Sequence, residues 1–172
     1  MTSNTIAFKH DIALKTFLAE MEWDDEVAYD FDQDFAHVTT SVSVGGNYCL
    51  LIVEAYNNDM IDIYIYMRYM SVKESQSEQM QLLLSTINSK MRVGAFQFLP
   101  MPDQRVVRWH HATDFEGSNP TGTTIRLNVV NGLETVKHYA DLIAAVALTN
   151  QKADAAFAEF MQTHQHEGEN TH

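Results

Sequence analysis

FAHVTTSVSVGGNYCLLIVEAYNNDMIDIYIYMRY, residues 35–69, is the stretch on which the fold turns. In its last third Ile61, Ile63, Ile65 and Met67 alternate with Asp62, Tyr64, Tyr66 and Arg68. A period of two puts the first set on one side of a strand and the second on the other. Two breaks divide the stretch. Gly45, Gly46 and Asn47 supply the positive φ that a tight hairpin needs, and Asn57, Asn58 and Asp59 tolerate it. The segment therefore reads as a three-stranded antiparallel meander, 35–44, 48–56 and 60–69, with its isoleucine side sheltered beneath helices.

Toward the N-terminus, Leu14, Phe17, Leu18 and Met21 recur at helical spacing, with Phe8 and Ile12 extending the stripe. This predicts a helix over 6–21 lying on the sheet. Between it and the meander, Asp24, Asp25, Glu26, Asp30, Asp32 and Asp34 alternate loosely with Val27, Tyr29 and Phe31, giving a loop or a short edge strand. Toward the C-terminus, Ser75-Gln-Ser-Glu78 has the form of a capping box, in which the serine oxygen and the glutamate satisfy each other's first-turn amides. Met80, Leu83, Leu84, Ile87 and Met91 continue it as one apolar stripe, so a helix is expected over 74–91. Strands at 95–99 and 105–113 follow, joined through Pro100 and Pro102, neither of which can donate to a ladder. A loop of breaker composition, 114–122, comes next. Residues 125–130 begin a helix or a short strand, Asn131-Gly132 is a candidate break, and 133–148 is helical, with Val136, Tyr139, Ala140, Ile143 and Ala147 on one side. A last helical stretch, 153–163, is separate or continuous across Thr149-Asn150, and 164–172 reads as a disordered tail. The expected class is α+β, one domain over 1–163.

Composition narrows the functions. At 172 residues, with 45% hydrophobic and 20% charged residues, the chain has the balance of a globular domain. A net charge of -12, from 23 acids against 11 bases, argues against nucleic acid or an anionic membrane as partner, because both need clustered cations. The single Cys49 falls inside a strand, where a buried, inert thiol is expected and no intrachain disulfide can form. No basic and apolar leader opens the sequence, and no apolar run approaches the ~20 residues of a membrane span. A soluble cytoplasmic protein is expected.

The meander, Leu84-Ser-Thr-Ile-Asn88, Gly94-Ala-Phe-Gln-Phe98 and Arg105-Val-Val-Arg-Trp109, in that order, resemble the YbjN family of bacterial sensory transduction regulators, whose fold is similar to that of type III secretion chaperones. The resemblance spans roughly residues 8–148. It implies a domain of helix, three-stranded meander, helix, two-stranded hairpin and C-terminal helices that self-associates. It also implies a regulatory or protein-binding role, with no catalytic residue to carry over and no cofactor. The acidic 24–34 segment and the histidine-bearing tail depart from the family pattern.

Candidate sites are few. Asp30, Asp32 and Asp34 have the spacing that opens a calcium loop, but Phe35 stands where the sharp turn needs glycine and Ser41 where the bidentate glutamate belongs. His110 and His111 point to opposite faces of a strand and cannot chelate one ion together. His164, His166 and His172 lack any fixed geometry, and no serine sits in a nucleophile elbow. Tyr64, Tyr66 and Trp109 are the candidates for a partner surface, since amphipathic rings are enriched where another chain covers a face; for the two tyrosines the competing expectation is cover by a helix of the same molecule. A protein partner and a homodimer are expected. The reading of a different class is a small-molecule sensor or enzyme with a pocket between sheet and C-terminal helices, lined by Trp109 and Tyr139.

Overall fold

The computed structural model describes residues 10–169 apart from 102 and 117, with the backbone alone at 164–169. Helix α1 (Asp11–Met21) leads into six strands and three further helices: β1 (Ala28–Asp30), β2 (Phe35–Val44), β3 (Asn47–Tyr56), β4 (Met60–Tyr66), α2 (Ser77–Asn88), β5 (Ala95–Pro100), β6 (Arg105–Asp114), α3 (Gly122–Leu148) and α4 (Ala153–Glu169). The strands form one antiparallel sheet in the order β1-β2-β3-β4-β6-β5. The α+β class and the order of elements expected from the sequence are those of the structure.

The meander forms where the alternation placed it. Gly45 and Gly46, at φ 57° and 82°, turn the β2–β3 hairpin, and Asp59 at φ 71° turns the next. Strand β4 ends at Tyr66, short of the expected 69. Its chain still follows β6, with Met67 N–H donating to Val107 O and Val72 N–H to Arg105 O. The acidic segment contains the short edge strand β1, paired to β2.

Among the described residues all helix packing falls on one side of the sheet. Val38, Val42, Leu51, Val53, Ile61, Ile63, Ile65 and Trp109 point into it and are buried. Burial also pushes the Cys49 thiol up to about 11, as expected of an inert core cysteine. Helix α3 crosses the sheet and contacts β2, β4 and β6, α2 lies along β5, α1 packs chiefly on α3, and α4 rests on α2 and α3. The α1 stripe is Ala13, Leu14, Phe17 and Leu18, so Ile12 falls outside it and is 80% exposed, contrary to expectation. Phe8 lies outside the described residues.

Three boundaries differ for tertiary reasons. The capping box does not form: α2 is entered through a 3-10 turn at Glu74–Gln76 with no side-chain cap. The buried Gln76 instead donates Nε2–H to Thr149 O (2.8 Å) and Gln151 O (3.0 Å), while Gln79 Oε1 accepts Ala153 N–H (2.9 Å). These two glutamines hold the turn that separates α3 from α4. Helix α3 runs unbroken through Asn131-Gly132, because Gly132 is where the helix meets Trp109. Helix α4 continues to Glu169, through most of the stretch expected to be a tail. With no proline there, a helix once nucleated adds one bond per residue.

Candidate functional site

Among the described residues the second face of the sheet carries no helix. Register arranges its residues in rows across the strands. One row is Leu50, Tyr66, Arg108 and Gln97; the next is Ile52, Tyr64, His110 and Ala95; the third is His37, Glu54, Asp62 and Ala112. The residues on this face are mostly half-buried by one another, so the expectation that a helix covers Tyr64 and Tyr66 is not met.

A connected network fills the first two rows. The Arg108 guanidinium lies 4.5 Å from the Tyr64 ring centre and 5.4 Å from that of Tyr66. Its Nη1–H donates to Tyr66 Oη and its Nε–H to Gln97 Oε1, each at 2.7 Å. With its oxygen engaged, the Gln97 amide turns its NH2 toward His110 Nδ1 at 3.3 Å. That makes Nδ1 the acceptor and leaves Nε2–H to donate to Asp62 Oδ1 at 2.7 Å. The imidazole stacks on Tyr64 at 4.7 Å and 9°. In the third row and beyond it, Tyr56 Oη–H donates to Glu54 Oε2 at 2.7 Å.

The electrostatics follow from this packing. Burial, then the Asp62 and Glu54 carboxylates, push the Tyr64 hydroxyl up to about 12 despite the opposing Arg108. A phenol whose folded value lies above its ordinary 10.0 keeps its full stabilising contribution below that value and loses it as pH rises toward about 12. An ultraviolet titration of the wild type minus that of a Tyr64→Phe variant is therefore expected to centre near pH 12, with stability to urea falling over the same alkaline window. A difference curve centred at the ordinary phenol value would contradict the packing described.

Trp109 is not on this face. Its side chain is fully buried beneath α3, between Gly94 and Gly132, so it cannot meet a partner. It also fills the space where a pocket between sheet and C-terminal helices was expected. Tyr139 meets Phe96 edge-on at 5.9 Å and lines an open cleft with Lys90, Met91 and His138 on the outside of the helices. The two adjacent histidines separate as expected: His110 joins the helix-free face, while His111 lies beneath the helices near Trp109 and Thr113. Burial lowers the His111 imidazole first, and the neighbouring His110 adds to it.

Asp30 Oδ1 accepts the amides of Asp32 (3.0 Å) and Gln33 (2.9 Å), and Asp34 accepts the Asn57 side chain, so these carboxylates serve their own turn. Among the described residues no group of three or more His, Cys, Asp or Glu could hold a metal ion, and no helix is long and apolar enough to cross a membrane. The side chains of the tail histidines lie outside the description.

Arg108, Gln97 and Asp62 were not singled out in the sequence, and His110 was weighed only as a metal ligand. The alternation of Arg108 and His110 with Val107, Trp109 and His111 was the available signal. It shows that they share a face, but not that β6 lies beside β4.

No family model matches the chain, and no curated protein does. A solved structure does: the crystal structure of YbjN from E. coli, a proposed transcription regulator. The two chains align with a TM-score of 0.49 at 13% identity, over 72% of this chain and 83% of that one. The fold resembles that of YbjN.

Proposed function

We propose that this protein acts by binding protein, without chemistry of its own, and that the helix-free face bearing Tyr64 and Tyr66 is its working surface. The observation that carries the reading is that face: an array of tyrosine, arginine and aliphatic side chains, held in place by the protein's own hydrogen bonds. Tyrosine and arginine dominate the binding energy of protein interfaces, and side chains already fixed lose little freedom on docking.

The alternative of catalysis finds little support in the same geometry. Among the described residues the one hydrogen-bonded histidine–carboxylate pair on the face, His110 with Asp62, has both ring nitrogens engaged and no nucleophile beside it. A regulatory role exerted through a bound partner is the function the YbjN-like sequence pattern implied, and it agrees with this face.

The test is a Tyr64→Ala, Tyr66→Ala double variant, purified by affinity from its native host and sized by chromatography with light scattering. The fold is expected to survive, because both rings are only half-buried. Partner binding, including self-association, is expected to weaken by about 2 kcal/mol or more, roughly 30-fold. Unchanged co-purifying proteins and unchanged mass would dispose of the proposal.

A further inference from the structure

We infer that a second copy of this chain occupies the helix-free face, related by a two-fold axis that runs across the strands along the row of Ile52, Tyr64 and His110. The inference rests on the reading of that face as a protein-binding surface and names its occupant.

Unmet bonding capacity on the face comes in complementary halves. Arg108 spends Nε–H on Gln97 and one Nη1–H on Tyr66, and among the described residues it pairs with no carboxylate. Asp62 spends Oδ1 on His110, and no described donor reaches its Oδ2. The two cannot meet within one chain, because the Arg108 row and the Asp62 row lie four residues apart along the strands, about 14 Å.

An axis along the intervening row exchanges those rows between copies. The Tyr66 hydroxyl of one copy then faces Asp62 of the other. Arg108 faces Ala112, one strand spacing of about 4.8 Å from that same carboxylate and within reach of its long side chain. Residues on the axis, Tyr64 above all, face their own counterparts. A two-fold interface must be complementary to itself, and a face with its cation at one end and its carboxylates at the other, on either side of an aromatic centre, satisfies that condition. The strands of the two sheets run nearly aligned, a favoured way for sheets to stack.

Strands β2, β3, β4 and β6 extend to both sides of this axis and so meet their own counterparts, whereas β5 lies to one side of it. The acidic excess does not block the approach, since Arg108 offsets part of the charge of Glu54 and Asp62 on the face itself.

A Tyr64→Cys variant tests the axis. Cys49 is buried and takes no part. Because stacked sheets lie about 10 Å apart, beyond the reach of a disulfide, the probe is a bismaleimide with a spacer of about 10 Å: it is expected to link the variant as a dimer in high yield, whereas Ser43→Cys, on the same face but far from the axis, is expected to give none. By light scattering the wild type is expected to be dimeric, Arg108→Ala to weaken the dimer about tenfold, and Arg108→Glu to weaken it at least tenfold more, because a carboxylate then faces Asp62. A monomeric wild type, equal cross-linking at positions 64 and 43, or an Arg108→Glu variant no weaker than Arg108→Ala would overturn the inference. If the wild type is monomeric while the double tyrosine variant still loses a co-purifying protein, the second copy falls and the protein-binding reading stands; if that variant loses nothing either, both fall.

Discussion

Replacing Trp109 with alanine is expected to cost about 3–5 kcal/mol, the range for removing a large aromatic from a packed core. With total stability in the usual range of about 5–15 kcal/mol, that is a large part of what holds the fold. The indole is fully buried where β6 meets α3, and its neighbours leave no slack. A Cβ on Gly94 would come within 2.5 Å of its Cε2, and one on Gly132 within 2.8 Å of its Cη2 and 2.9 Å of Ile65 Cδ1. Gly132→Ala therefore discriminates sharply between two physical effects. Helix propensity alone predicts a gain of about 1 kcal/mol from alanine in mid-helix, whereas the contact with Trp109 predicts a loss of about 1–3 kcal/mol from overpacking. The loss is expected to win. Adding Trp109→Phe should recover part of it, because the smaller ring leaves room for the methyl group and removes an indole N–H that has no acceptor among the described residues. Urea denaturation of the two single variants and the double variant gives the coupling directly. Additivity would show that the helix and the indole do not touch.

Asn88→Ala is expected to cost about 2–4 kcal/mol, unusually much for an asparagine at a helix end. The Asn88 side chain acts as a piece of strand. Its Nδ2–H donates to Phe96 O at 2.9 Å and its Oδ1 accepts Phe96 N–H at 2.8 Å, closing the outer edge of β5 where another strand would otherwise pair. Phe96 is buried, so alanine leaves an amide and a carbonyl out of water with no partner, at about 1–3 kcal/mol each. Two measurements check this: the urea midpoint, and the exchange rate of the Phe96 amide, which should rise well beyond that of the β6 amides. Asn88→Asp should not rescue, since a carboxylate keeps the acceptor but turns an oxygen toward the Phe96 carbonyl. An open edge also invites pairing with other chains, so Asn88→Ala is expected to aggregate more readily than the Trp109 variants at equal stability.

These two residues illustrate what can be read from a chain before it is folded. Asn88 and Phe96 both fall in the segments that carry the YbjN resemblance, yet nothing local shows that the amide of one completes the edge of the other. Trp109 looked like a surface anchor because amphipathic rings are enriched where another chain covers a face. Its face became clear only once Ile65 was its neighbour on β4 and Gly132 its cover on α3. The Asn131-Gly132 pair carries a local preference to end a helix, and close packing on the indole outweighs it. The capping-box pattern at Ser75 was likewise overridden, because α2 enters through a tighter turn and Gln76 is drawn to the α3–α4 connection.

The amino-acid sequence by itself determined the elements and their order, the meander with its turns, and the side of each strand that is apolar. All of these depend on residues within a few positions of one another, where periodicity and turn chemistry act. The tertiary structure alone decided that β6 inserts beside β4, that the helices cover only the isoleucine face, and that Arg108, Gln97, His110 and Asp62 join Tyr64 and Tyr66 on the other. Those outcomes depend on which strand pairs with which across an intervening helix, and that choice is made by the packing of the whole core.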